Sequence, residues 1–116
     1  MTTTAELAAV TDADFAQEVL ASPIPALVEF TTSWCAPCRV LLPVLTQLAA
    51  EHAGSVKVRT MDVAANPRTA ADYAVHAMPT LIVFSGGEPV VSLVGAVTKA
   101  RLQEHFGAVL WPGDHG

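Results

Sequence analysis

Residues Thr31–Leu45 read TTSWCAPCRVLLPVL, and this stretch holds both cysteines of the chain, Cys35 and Cys38, with only Ala36 and Pro37 between them. Just before it, Ala26–Thr31 (ALVEFT) is a mostly apolar run of strand length. From Cys35 to Ala53, apolar residues recur at Val40, Leu41, Val44, Leu45 and Leu48, the spacing of one helix face. A strand therefore gives way to a helix across the cysteines. Pro43 lies inside that helix and is expected to kink it, and Gly54 is placed to end it. Within the strand, alternation sets Glu29 opposite Val28 and Phe30. Both faces of a central parallel strand are covered, so the Glu29 carboxyl is expected to be buried, with its pKa raised.

Outward from this core, Leu7–Val10 has the length of a short strand. Thr11-Asp12-Ala13-Asp14 offers capping side chains to a helix running to about Leu20, which Ser22, Pro23 and Pro25 stop. On the other side, Val56–Val63 (VKVRTMDV) alternates like a strand with one wetter face, and Asn66-Pro67 opens a short helix to Tyr73. The order βαβαβα implies a parallel sheet covered by helices. Leu81–Phe84 and Val90–Val94 flank Ser85-Gly86-Gly87-Glu88, a connection that reads as an antiparallel hairpin. Thr98 caps a last amphipathic helix through about Leu110, and Trp111–Gly116 (WPGDHG) reads as a tail. No internal repeat or linker interrupts the pattern. One α/β domain is expected over residues 1–116, with its core at about 7–110.

The chain has 116 residues, 52% of them hydrophobic, enough for a core of its own. A net charge of -5 with only six Lys and Arg excludes the clustered cations of a phosphate-binding surface, so no nucleic-acid partner is expected. Apolar stretches such as Leu81–Phe84 break well short of the ~20 residues that span a membrane, so no membrane partner is expected either. Met1–Val10 has neither a basic start nor a sustained apolar run, unlike a secretory signal, and a cytoplasmic location follows as the expectation.

Three readings of Cys-x-x-Cys compete. A structural staple gains little from so short a loop, since stabilisation grows with the loop closed and reaches ~3 kcal/mol only near 15 residues. A metal site needs about four N or S ligands, whereas His52, His76, His105 and His115 are scattered far from any ligand spacing; only a cluster shared by two chains would serve. Reversible thiol–disulfide exchange uses position as well as spacing. Cys35 stands where unpaired N–H groups and the positive end of a helix dipole stabilise a thiolate, and Cys38, one turn on, can attack a mixed disulfide formed at Cys35. Trp34, beside that position, reads as part of a protein-binding surface. His76 reads as a solvated loop residue and His105 as part of the last helix.

Trp34-Cys35-Ala36-Pro37-Cys38 after an apolar strand, Pro43 in the following helix, Met78-Pro79-Thr80 and Val94-Gly95-Ala96 together resemble the thioredoxin family, from about Leu7 to Leu110. The resemblance implies the thioredoxin fold, a central mixed sheet of about five strands flanked by about four helices. It also implies a cis proline at Pro79 lying against the cysteines, with the backbone of Met78 pairing to a substrate strand and Gly95 letting that strand approach. Trp34, Ala36, Pro37, Met78, Pro79 and Gly95 then make up the substrate surface. The chain departs from the family pattern at four places: Ala36 replaces a glycine, Glu29 an aspartate, Thr31 an aromatic residue and Thr60 a lysine near the acid. These bear on redox potential and proton handling, and they remove no sulfur chemistry.

The expected activity is reduction of protein disulfides, with Cys35 as nucleophile, Cys38 as resolving thiol and Glu29 as a proton relay for Cys38. No metal and no bound cofactor is required. The resemblance implies electrons from NADPH through a thioredoxin reductase, with that reductase and disulfide-containing proteins as partners of a monomer. The alternative is a thioredoxin-like binding module that docks proteins through Trp34, Met78 and Gly95 without redox turnover. A disulfide-forming oxidant is disfavoured by the expected cytoplasmic location.

Overall fold

In the computed structural model, which describes residues 7–95 and 97–110, β1 (Ala8–Ala9) is followed by α1 (Ala16–Leu20), a single π-helical turn. Then come β2 (Ala26–Thr31), α2 (Ala36–Glu51), β3 (Lys57–Asp62), α3 (Pro67–Asp72), β4 (Thr80–Ser85), β5 (Glu88–Val94) and α4 (Lys99–Leu110). The expected tail at 111–116 and Ala96 lie outside the described residues.

The strands form one mixed sheet in the order β1-β3-β2-β4-β5. β3 is parallel to both β1 and β2, whereas β4 runs antiparallel to β2 and β5 antiparallel to β4. β2 is central, as its apolar residues on both faces require, and Ala26 through Phe30 are all buried. Alternation sends its side chains into two cores. Leu27 joins Val58, Leu81 and Val83 of the sheet, Leu41, Leu45 and Leu48 of α2, and Leu102 and Phe106 of α4. Val28 and Phe30 face Met61, Ile82, Phe84, Phe15 and Val19 on the other side. There Phe84 meets Phe15 and Tyr73 edge-on, with ring centroids 5.3 and 5.1 Å apart.

Three boundaries differ from the sequence expectation, each for an identifiable reason. The helix expected from Thr11 to about Leu20 contracts to α1, where the Ala21 N–H donates to the Ala16 carbonyl, while Thr11 and Asp14 cap the turn that leads into it as expected: the Thr11 N–H donates to Asp14 Oδ1 at 2.7 Å and the Asp14 N–H to the Thr11 hydroxyl at 3.4 Å. Asp12, expected as one of its caps, is engaged elsewhere: Oδ1 accepts from the N–H and hydroxyl of Thr69, at 2.9 and 2.7 Å, and Oδ2 from the Arg68 N–H at 3.1 Å. Asp12 thus caps α3 across 57 positions of sequence. Its own N–H donates to Asn66 Oδ1 at 2.9 Å. The hairpin connection is tighter than the expected four residues, because Gly86 and Gly87 take φ of 63° and 84° and let Ser85 pair with Glu88. The strand expected over Leu7–Val10 is only Ala8–Ala9. Thr98 caps α4 as expected, its hydroxyl accepting from the Arg101 N–H at 3.1 Å.

Candidate active site

The turn from β2 into α2 carries the two cysteines. Cys35 is the N-cap of α2, with extended backbone at φ -91° and ψ 103°. Its N–H donates to the Thr32 carbonyl at 3.3 Å, and Arg39 Nη1 holds the turn from outside by donating to the Ser33 carbonyl at 3.2 Å. Ala36 and Pro37 form the first helical turn. The missing N–H of Pro37 removes no helix bond there, because the first N–H groups of a helix have no partner within it. Cys35 and Cys38 are joined in a disulfide with Cα atoms 5.3 Å apart. The Cys38 N–H, one of the orphan donors of the helix start, points at Cys35 Sγ at 3.2 Å. That hydrogen bond and the helix dipole both favour negative charge on the Cys35 sulfur once the disulfide is opened. Cys35 is 9% exposed and Cys38 only 1%.

Two further segments reach the same end of the sheet. Phe30 pairs with Thr80, so the preceding residue Pro79 lies beside Thr31 and next to the cysteine turn. The Met78–Pro79 bond is cis, and the Thr80 hydroxyl donates to the Ala77 carbonyl, tying the segment back on itself. Thr80 also pairs with Val94, and the Gly95 N–H donates to the Pro79 carbonyl at 2.9 Å. Gly95 has φ of 103°, which disfavours any side chain, and the space where a Cβ would stand is open. Pro79 is buried, Met78 and Gly95 are half-buried, Ala36 and Pro37 are exposed, and Trp34 is 71% exposed. Every residue singled out from the sequence as substrate-binding therefore gathers at one end of the sheet.

Glu29 is fully buried and neither of its carboxylate oxygens has a hydrogen-bond partner. Its neighbours across the sheet are Thr60 on β3 and Leu81 on β4, so no cation adjoins it there. Burial pushes its pKa up from 4.5 to about 7. It shares the face of Leu27, the face that α2 covers through Leu41 and Leu45, and Cys38 lies one turn before Leu41 on the same side of that helix. Because α2 turns back over β2, its Cys38 end lies over the Glu29 end of the strand. Thr32, also buried with an unpartnered hydroxyl, adjoins the same turn. Sequence reasoning did not single out Thr32; the one available signal was its place between a buried strand and the cysteines.

His76 is exposed, and His105 donates from Nε2 to the Ser92 carbonyl at 3.1 Å, a structural contact between α4 and β5. Among the described residues no three His, Cys, Asp or Glu side chains gather to hold a metal, and no helix is long and apolar enough to cross a membrane.

The sequence matches the family model described as Thioredoxin over residues 6–108. It is 46% identical over 101 residues to the thioredoxin of Mycobacterium tuberculosis, covering 87% of each chain. Against Thioredoxin 1 of Nostoc sp. it is 43% identical over 97 residues, 84% of this chain and 91% of that protein. Against Thioredoxin 1 of Synechococcus elongatus the identity is 46% over 95 residues, covering 82% and 89%. With a Cys-x-x-Cys disulfide at the strand-to-helix turn and likeness along most of its length, the chain belongs to the thioredoxin family of thiol–disulfide oxidoreductases.

Proposed function

We propose that this chain reduces disulfides in partner proteins by cycling Cys35 and Cys38 between dithiol and disulfide, with Cys35 attacking and Cys38 resolving. The reading is carried by one observation: Cys35 caps the start of α2, where its sulfur already accepts the Cys38 N–H. In the dithiol form, the Cys35 thiolate attacks one sulfur of the substrate disulfide. That S–S bond breaks, a mixed disulfide forms, and the departing substrate thiolate takes a proton from water. Cys38 then loses its proton to the Glu29 carboxylate and attacks Cys35 Sγ, which re-forms the internal disulfide and releases the second substrate thiolate. A carboxyl with a pKa of about 7 exchanges protons readily at neutral pH. Trp34, Ala36, Pro37, Met78, Pro79 and Gly95 make up the docking surface. The chain works as a single domain over residues 1–116 and as a monomer in the cytoplasm. It has no bound cofactor, and a thioredoxin reductase returns its electrons from NADPH.

The test uses the cysteines in turn, with dithiothreitol as electron donor and a disulfide-bonded protein as substrate. Cys35→Ser is expected to abolish catalysed reduction, a loss of at least about a hundredfold given the weak nucleophilicity of a hydroxyl. Cys38→Ser is expected to accumulate substrate covalently on Cys35, visible as a reducible adduct by mass spectrometry. In the reduced wild-type protein, brief alkylation at neutral pH is expected to label Cys35 before Cys38. Undiminished partner binding by a variant lacking both cysteines, with no turnover by the wild type, would instead establish the binding-module reading.

A further inference from the structure

β5 is an edge strand whose outward features differ from those of the rest of the sheet. Thr80 pairs with Val94 and Ile82 with Ser92, so Val94 and Ser92 share the face of Ile82 and Phe84. On β2, β3 and β4 that face forms the second core, which includes Phe15 and Val19. At β5 it is left open: Val94 is 61% exposed and Val90 47%, two of the four exposed large hydrophobic residues among those described. The register shifts between Val83 and Phe84, which pair with Val91 and Pro89 and leave Val90 as the extra residue of a β-bulge. A bulge re-aims a side chain. Here it accompanies a groove of about 270 Å³ lined by Tyr73, Ile82, Pro89, Val90, Val91 and Ser92. The groove is below the usual size of a cofactor pocket, ~300 Å³ or more, and suits one long side chain.

Two features say what chemistry fits. The lining is uncharged, yet two of the three chain segments that form it bring a carboxylate: Asp72 immediately precedes Tyr73, and Glu88 immediately precedes Pro89, both exposed. Both carboxylates also act on the Tyr73 phenol, whose pKa is raised chiefly by burial and further by Asp72 and Glu88. An apolar slot with acids at its rim and a tyrosine on its wall matches a side chain with an aliphatic stem and a cationic head. The open face is also continuous with the reaction centre, because Val94 precedes Gly95, whose N–H binds the Pro79 carbonyl. From Val94 to Val90 an extended chain covers about 13 Å, or four residues.

We propose that the open face of β5 binds the polypeptide flanking a substrate's disulfide, and that the groove at Tyr73, Pro89 and Val90 receives a lysine or arginine of that substrate. The inference rests on the disulfide-reductase reading and adds a specificity determinant to it. The cationic residue lies four to six positions from the attacked cysteine, the span set by the length of the strand between Gly95 and the groove.

The test is a set of disulfide-linked peptides, alike except for lysine or glutamine placed four, five or six residues to either side of the cysteine. Wild-type protein, recycled by dithiothreitol, is expected to favour lysine by about fivefold in kcat/KM at one such position, mostly through KM, with the preference shrinking as salt is raised. In the Asp72→Asn, Glu88→Gln double variant the lysine-to-glutamine ratio is expected to fall to about one. In Glu88→Lys it is expected to fall below one, a reversal that lost folding cannot imitate. Equal use of both peptides by the wild type at every position, or a lysine preference that survives in the double variant, would overturn the subsite while leaving the reductase reading intact. Failure to reduce any peptide, or a small aromatic disulfide, would overturn the reductase reading and the subsite with it.

Discussion

Two carboxylates, Asp12 and Glu29, are treated in opposite ways by the same fold. Asp12 joins the loop after β1 to the start of α3 and accepts three hydrogen bonds from Arg68 and Thr69. Burial works to raise its pKa, but the Thr69 hydroxyl, the N–H groups of Thr69 and Arg68 and the Arg68 charge together outweigh it and hold the pKa below 3.8. Glu29, beneath the cysteine pair, accepts none, and burial alone drives its pKa up to about 7. The difference separates an acid tied into the fold from one whose proton is left exchangeable. Where a carboxylate holds parts of the chain together, its lone pairs are used and its charge is fixed. Beneath the cysteines they are left unused, which costs stability and keeps a proton exchangeable near neutrality.

The largest expected effect comes from breaking the second half of that contrast. Because the folded pKa of Glu29 is raised, the protonated form is the one the fold favours. Stability is penalised as pH rises from 4.5 through about 7, and the penalty is constant above that. The rise corresponds to about 3 kcal/mol at high pH. Glu29→Gln removes the charge at nearly constant volume, and its amide carries unpaired N–H groups of its own. A stabilisation of about 2 kcal/mol at pH 8 is therefore expected, shrinking toward zero at pH 4. Urea unfolding at the two pH values measures it. Disulfide exchange is expected to slow in the same variant and to lose its dependence on pH near 7. Unchanged stability at pH 8 together with wild-type turnover would make Glu29 an inert acid.

Asp12→Ala tests the other half and is expected to have a smaller effect of opposite sign. It leaves the Arg68 and Thr69 N–H groups at the start of α3 without their acceptor, so the melting temperature at pH 7 is expected to fall. A lowered folded pKa means that the carboxylate's charge contributes fully above about 3.8 and is lost as pH falls through the folded value. The gap between wild type and variant is accordingly expected to narrow as pH falls below 3.8. Thermal scans from pH 2.5 to 7 decide this. A gap independent of pH would show that Asp12 acts through packing alone.

The two carboxylates also mark what a sequence discloses. Glu29 was legible because its surroundings are local: the run Ala26–Phe30 is apolar at all positions but Glu29 itself, on both faces, and such a strand lies at the centre of a sheet. The cysteine turn, the paired glycines of the hairpin and the Thr98 cap are local in the same sense. Asp12 was misassigned because its partners lie 57 positions away, whereas its neighbours Thr11 and Asp14 do cap the turn into the next helix, each side chain accepting from the other's N–H. The bulge at Val90 was equally hidden, since a bulge belongs to the register between two strands and not to either strand alone. Of the site, the motif residues could be named, but not the unpartnered hydroxyl of Thr32, which depends on what surrounds it in space.

Ala74 gives the smallest effect and sharpens the comparison, because it tests whether the well-bonded region is itself free of cost. α3 begins on Asp12 and ends in a left-handed turn: the Val75 N–H donates to the Ala70 carbonyl at 2.8 Å and the Ala74 N–H to the Ala71 carbonyl at 3.2 Å. This bonding pattern places Ala74 where helices most often carry glycine, and its φ of 55° makes it the one non-glycine residue with positive φ among those described. An alanine there pays a steric cost of ~1–2 kcal/mol, of which the extra freedom that glycine brings to the unfolded chain returns ~0.4–1. Ala74→Gly is thus expected to stabilise the protein by about 0.5–1 kcal/mol, equally at pH 4 and pH 8, because no titrating group is involved. That flat pH profile separates it from Glu29→Gln, and combining the two is expected to give additive gains if the sites share no partner. A loss of stability in Ala74→Gly would mean that the alanine methyl contributes packing that outweighs its strained backbone.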